Sequence, residues 1–242
     1  MRGRLLLAFS LATACAAAPA LAGPPYVTDD PEPEDPGHLA VRTFVSGTTL
    51  AGETAGQTGL DIDYGAAKDL QLTLLAPLDF DSQRPDAVGV GDVELSVKYR
   101  FLHQSAGSWL PDVSVFPQIN LPTAGGRFGD GRASYFLPVW AEKDWGPWSA
   151  FGGGGYTINP GPGNRNSWLV GWALTRQVTD KLLLGGEIFH QTSVAVGQPS
   201  TTMANLGVIY QLNPRITLLA SGGPSLQAGG GGDFYAALEF NY

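Results

Sequence analysis

Phe234-Tyr235-Ala236-Ala237-Leu238-Glu239-Phe240-Asn241-Tyr242 closes the chain with side chains of alternating character and an aromatic on the last residue. On an extended strand Phe234, Ala236, Leu238, Phe240 and Tyr242 share one face, while Glu239 and Asn241 point to the other. A soluble sheet shows the same alternation but has no use for a terminal aromatic. The last stave of a transmembrane barrel places that residue in the interfacial aromatic girdle.

The same period recurs upstream. Leu70, Leu72, Leu74, Ala76, Leu78 and Phe80 alternate with Gln71, Thr73, Asp79 and Asp81; Val93, Leu95, Val97, Tyr99 and Phe101 alternate with Glu94, Ser96, Lys98 and Arg100. Softer alternation near 38–50, 57–66, 111–121, 133–143, 147–158, 167–178, 181–193, 201–212, 214–224 and 233–242 brings the expectation to about twelve tilted membrane strands. Short turns at 67–69, 103–109, 144–146, 179–180 and 213–214 take turns with longer loops at 51–56, 82–90, 122–132, 159–166, 194–200 and 225–232. Outer-membrane barrels alternate periplasmic turns and external loops in this way, and an even strand count puts both termini on the short-turn side. Thirty-three glycines and only 15% charged residues fit many short strands and turns. The predicted fold is all-β, a closed antiparallel transmembrane barrel over residues 38–242.

Arg2 and Arg4, an apolar stretch from Leu5 to Ala17, and Ala20-Leu21-Ala22 before Gly23 read as a signal peptide, residues 1–22, cleaved near Ala22. A lipoprotein signal on Cys15 competes, but Ala12-Thr13-Ala14 lacks the Leu expected three positions upstream. Cleavage near Ala22 leaves no cysteine, which excludes disulfides and thiol chemistry. It also removes two arginines, so the formal charge of −8 becomes −10, which argues against a nucleic-acid partner. Beyond the signal no apolar run approaches ~18 residues, so any membrane crossing rests on strands. Residues 23–37 carry five prolines and five carboxylates and form no regular element. They are a solvated periplasmic leader or a plug in the barrel mouth.

In lipid an outward Lys or Arg costs ~2–4 kcal/mol at the midplane, so Lys98 and Arg100 are expected to face the lumen. With them go Asp61, Asp63, Asp79, Glu94, Asp112, Glu187 and Glu239. Trp109, Trp140, Trp145, Trp148, Trp168 and Trp172 are expected in the outward girdle. A secreted sandwich or cup would bury the apolar face instead, but the loop order, the absence of cysteine and the aromatic end oppose it. The lumen charges either select solutes or pair to fill a narrow barrel; acids outnumber bases, which disfavours anions along any path. Gly152 to Gly155 is no phosphate loop, since no Gly-Lys-Ser/Thr follows; facing inward it would widen the lumen. His38, His103 and His190 lack metal-site spacing, and no metal or cofactor is expected. Glu187, His190 and Ser193 resemble a hydrolase set, but His190 has the wrong parity on a strand, so an enzyme is not expected.

Several words are similar to those of a known family: Pro24 to Pro33, Gly91-Asp92-Val93-Glu94-Leu95-Ser96-Val97-Lys98-Tyr99-Arg100-Phe101, and Phe116-Pro117-Gln118-Ile119-Asn120-Leu121-Pro122-Thr123. So are Gly152 to Tyr156 before Ile158-Asn159-Pro160-Gly161, and Thr179 to Leu182 leading to Gly185 to Thr192. Over nearly the whole mature chain they resemble the outer-membrane transporter family named for the meta-pathway of phenol degradation. That resemblance implies passage of aromatic molecules across the outer membrane of a Gram-negative-type bacterium, and it makes Thr28-Asp29-Asp30-Pro31-Glu32-Pro33 part of the recurring protein. Bacterial barrels also resemble one another in offering a terminal aromatic, here Tyr242, to their assembly machinery. The resulting expectation is a monomeric, lipid-embedded passive channel for small hydrophobic or aromatic solutes. Asp61, Asp63, Glu94, Lys98, Arg100, Glu187 and Glu239 would set selectivity; Thr28, Asp29, Asp30 and Glu32 would form the gate or plug. A structural or assembly-linked envelope barrel with a blocked lumen and a barrel-wall lipid hydrolase are the alternatives.

Overall fold

The structure, a computed structural model, describes residues 24–242 apart from 51, 83–86, 106, 127, 130 and 228–229. The expected signal peptide and its cleavage site therefore lie outside the described residues. Fourteen strand segments follow: β1 Leu39–Leu50, β2 Glu53–Ala67, β3 Leu70–Asp81, β4 Ala87–Val90, β5 Val93–Leu102, β6 Asp112–Val115, β7 Gln118–Leu121, β8 Ser134–Trp145, β9 Trp148–Ile158, β10 Ser167–Thr179, β11 Leu182–Gln191, β12 Thr201–Asn213, β13 Ile216–Pro224 and β14 Gly232–Asn241. They make twelve staves. β4 and β5 both pair with β3 and join through Gly91-Asp92 with a one-residue change of register, the mark of a bulge. β6 and β7 both lie between β5 and β8 and are broken at Phe116-Pro117, where proline has no N–H for the ladder. The expected loop at 82–90 thus ends in a strand segment, and β2 begins four residues earlier than the alternation near 57–66 marks.

All pairings are antiparallel, and β14 returns to β1 with Ala40 opposite Asn241 and Thr49 opposite Gly232. Backbone bonds between Leu39 and Tyr242, 3.2 and 3.0 Å, finish the closure. A ring of strands leaves no open edge, and an unpaired backbone group in hydrocarbon costs several kcal/mol. Side-chain parity divides the wall as the alternation requires. Leu72, Leu74, Leu78, Val97, Leu137, Val170, Leu184, Ile188 and Leu206 are exposed on the outer face, where lipid lies. Tyr242 is 71% exposed at the short-turn end.

Five of the six expected girdle tryptophans are exposed, and Arg176 lies 5.2 Å from the Trp148 ring in the lower belt. Trp140 is the exception at 1% exposure, inside the barrel against Phe116 and Met203. It has the parity of Glu142 on β8, so it must turn inward with that carboxylate. Trp140 also bears on the inward half of the glycine run, Gly153 and Gly155. A Cβ on Gly153 would meet the indole at 3.1 Å, and one on Gly155 the Phe136 ring at 2.7 Å. At these two inward positions the β8 backbone and aromatics already fill the space a side chain would take, so they do not open the lumen there.

Candidate functional site

Strand register arranges the lumen in rungs. Glu239, Arg42, Asp61, Leu75 and Glu94 face one another across β14, β1, β2, β3 and β5. Arg42 is buried and gathers three carboxylates: Nε donates to Glu239 at 2.7 Å, and Nη1 donates to Asp61 at 2.9 Å and Asp63 at 2.5 Å. The guanidinium fork suits such convergence, because its donors point in several fixed directions. On the opposite wall Asn205, Glu187, Ala173, Phe151, Glu142 and Asp112 form a second rung.

Between these walls runs the leader. At the short-turn end it is tied by Gly37 N–H to Gly65 O, 2.7 Å, and from there it climbs into the lumen. Gln71 accepts from Glu34 N–H at 2.8 Å, Arg100 pairs with Glu32 at 3.2 Å, and Lys98 pairs with Asp29 at 3.1 Å and Asp30 at 3.7 Å. Higher up, the two oxygens of Glu187 accept Val27 N–H at 3.1 Å and Thr28 N–H at 2.9 Å, while Asn205 donates to the same carboxylate at 2.9 Å. These are charge-assisted bonds inside the barrel, stronger than their counterparts in water. Ser221 donates to Pro25 O.

The wall is shaped for this segment. Gly185 and Gly207 are direct cross-strand partners, and a Cβ on either would meet Tyr26 at 2.6 Å. A Cβ on Gly171 would strike the Thr28 hydroxyl, and one on Gly65 the Asp35 carbonyl. Tyr26 lies in that notch against Phe151 and Ala173. Burial pushes the Asp30 carboxyl up to about 7 against the pull of Lys98, with Asp29 and Glu32 adding to the rise. Burial also raises Glu32, opposed by Arg100, and Glu34, opposed by His38 and Arg42.

The leader leaves two spaces. Toward the long loops is a cavity of about 580 Å³ with Pro24, Pro25, Tyr26 and Val27 along one side. Beside the leader lies a narrower space of about 160 Å³, flanked by Arg42, Asp61, Asp63, Glu94 and Lys98. Asp61, Asp63, Glu94, Lys98 and Glu239 therefore do meet in or around one constriction. Glu187 faces inward but stands on the other wall, with both oxygens on the leader, and Arg100 binds Asp69 and Glu32 below. Thr28, Asp29, Asp30 and Glu32 all sit within the barrel. Sequence reasoning missed Arg42, Glu142 and the glycine notch. Inward parity on consecutive staves was the available signal for the glycines.

No catalytic constellation forms from Glu187, His190 and Ser193. His190 is bonded to Thr202 at 2.8 Å, the Ser193 hydroxyl donates to Ala195 O at 2.6 Å, and Glu187 holds the leader. Among the described residues no group of three or more His, Cys, Asp or Glu is arranged to hold a metal ion.

A search among curated proteins found no match. Among solved structures the chain is similar to the COG4313 outer membrane channel from Pseudomonas putida F1, with 15% identity, a TM-score of 0.73, and 88% of this chain and 98% of that chain covered. It is also similar to the NanC porin, at 11% identity and TM-score 0.60 with 84% and 98% covered. The KdgM porin in complex with disordered oligogalacturonate follows at 9% identity and TM-score 0.57, again with 84% and 98% covered. At these identities the likeness is one of fold, and the fold is an outer-membrane barrel. Residues 32–235, from the leader carboxylate that meets Arg100 to the closing stave, match one family model, and the chain belongs to the family described as "Putative MetA-pathway of phenol degradation".

Proposed function

We propose that the protein is a passive outer-membrane channel for small hydrophobic or aromatic molecules, gated by its own leader. The carrying observation is the narrowed lumen: a cavity of about 580 Å³ above a space of about 160 Å³, both lined by a segment held largely through ion pairs and hydrogen bonds. Such contacts break and re-form without unfolding the wall, whose ladder bonds are independent of them. In this reading Asp61, Asp63, Glu94, Lys98 and Glu239 select at the constriction, Arg100 and Glu187 hold the leader from two sides, and Thr28, Asp29, Asp30 and Glu32 are the gate. A solved structure of like fold carries the name of an outer membrane channel, and the family description names phenol degradation; both favour this reading. The chain acts as a monomer, with Tyr242 recognised during assembly.

Liposome swelling tests it. Small aromatic alcohols are expected to enter proteoliposomes faster than sugars of similar size. Swelling at the rate of protein-free vesicles, with and without the leader, would leave a structural barrel with a blocked lumen.

The buried Asp30 adds a pH dependence. Its carboxyl rises from an ordinary ~3.9 to about 7 on docking, so docking takes up a proton. That advantage is full below the undocked value and disappears as pH rises through the docked one. The groups facing Asp30 are Lys98, Asp29, Glu32 and Glu142, and the raised Glu32 and Glu34 act in the same direction. Conductance should therefore increase from pH 5 to pH 8, and Asp30→Asn should flatten that slope. A wild-type conductance that falls over this range would contradict the gate.

A further inference from the structure

The charges of the lumen are sorted by height. Arg42, Lys98 and Arg100 occupy the lower half, where Asp61, Asp63, Glu239 and the leader carboxylates surround them. The upper cavity has no Lys, Arg or His among its described lining residues, yet Asp79 and Asp233 line it. Register places them on either side of one patch. Asp79, Gln57, Ser46 and Tyr235 form a rung across β3, β2, β1 and β14, and Asp233 stands one inward position above Tyr235, opposite Thr48. Asp61, at the cavity floor, keeps a buried Oδ1 with no hydrogen-bond donor although its Oδ2 meets Arg42. The remaining lining mixes uncharged polar side chains, Gln57, Gln191 and Asn205 among them, with an apolar and aromatic side where Phe44 stacks on Tyr235 at 6.1 Å beside Phe189 and Met203.

A concave site of this volume suits a small molecule, and its few polar groups decide which one. Here the charged groups are all negative, without a described cation, and the uncharged amides and hydroxyls serve either a donor or an acceptor; beside them stand rings that attract cations on their faces. We propose that the upper cavity is a binding site for small aromatic amines in their ammonium form, and that it turns away aromatic carboxylates of the same size. The ammonium would meet Asp79 or Asp233 while the ring lies on the Phe44, Phe189 and Met203 side. The inference deepens the channel reading by naming a solute class and rests on it for its role in passage, but occupancy of the cavity can be measured without conduction.

The test uses the folded full chain in non-ionic detergent and three matched probes: 2-phenylethylamine, 2-phenylethanol and phenylacetate, titrated by calorimetry at neutral pH and low salt. The amine is expected to bind at least ~10-fold more tightly than phenylacetate, a difference of ~1.4 kcal/mol, with the alcohol between them. The preference should shrink at ~0.5 M salt, because charge attraction is screened. Asp79→Asn and Asp233→Asn keep the side-chain shape, and together they should bring amine and alcohol to within ~3-fold of each other. Phenylacetate binding as tightly as the amine, an amine preference unaltered in the double variant, or no saturable amine binding would each overturn the proposal. Swelling assays with the same probes judge the channel reading separately: passage without selective binding sinks only the amine site, and selective binding without passage sinks only the channel.

Discussion

Removal of residues 24–36 is expected to raise single-channel conductance several-fold and to move the reversal potential toward anions. Both effects follow from the same contacts. The segment lines both the cavity of about 580 Å³ and the space of about 160 Å³, so its loss should widen them into one path. It also takes away Asp29, Asp30, Glu32, Glu34 and Asp35, five carboxylates, and leaves Lys98 and part of Arg100 facing open water. Two neighbouring bases on β5 that lose their counter-charges shift the path toward anions. The wall should stay closed, because its seam is made by β1 and β14 and the Gly37–Gly65 tie lies beyond the deletion. Gly207→Val provides a variant with the full chain: the atoms nearest its new Cβ all belong to Tyr26, so it should expel the ring and open the path in part. Planar-bilayer recordings read both. Unchanged conductance and unchanged selectivity in the deletion, with the barrel folded by heat-modifiability on gels, would show that the segment is no gate.

How much of this was legible depended on contrast between neighbouring side chains. β3 and β5 alternate mostly apolar with polar or charged side chains, and that contrast assigns their faces from the sequence alone. β1 does not alternate so sharply: Ala40, Arg42 and Phe44 share the inward face, so the most connected base of the lumen lies between two apolar residues and raises no period of its own. Trp140 and Glu142 were separable by parity, yet an aromatic preference for the membrane interface outweighed it. The narrow barrel has an interior wet enough for carboxylates and crowded enough for an indole. The leader gave no periodicity at all. Its position is fixed by wall groups far away in sequence, such as Glu187 at a separation of 159 residues from Thr28, and a single sequence does not reveal such pairs. The strand breaks at Gly91-Asp92 and Phe116-Pro117 were written in residues that also make loops, which is why β4 was read as part of one.

Arg42 carries the largest expected effect on stability. Its guanidinium bridges Glu239 on β14 to Asp61 and Asp63 on β2, and thus spans the seam where the first and last staves meet. Replacing it by methionine keeps much of the length and removes the charge, leaving Asp61, Asp63 and Glu239, with Glu34 of the leader at the edge, around one vacated volume. Taking one partner from a buried ion network costs ~3–5 kcal/mol, because the abandoned charges stay desolvated. Arg42→Met should therefore lose about that much in urea unfolding from lipid vesicles. Arg42→Lys should lose less, since an ammonium restores the charge but not the fork. A second change distinguishes repulsion from lost packing. Adding Asp61→Asn and Glu239→Gln to Arg42→Met removes two of the stranded charges in place and leaves Asp63, and a large part of the lost stability should return, as it does where an ion network gives way to neutral groups. If Arg42→Met costs under ~1 kcal/mol, or if the triple variant is no more stable than the single one, the cluster does not hold the seam, and closure rests on the backbone ladder between β1 and β14 alone.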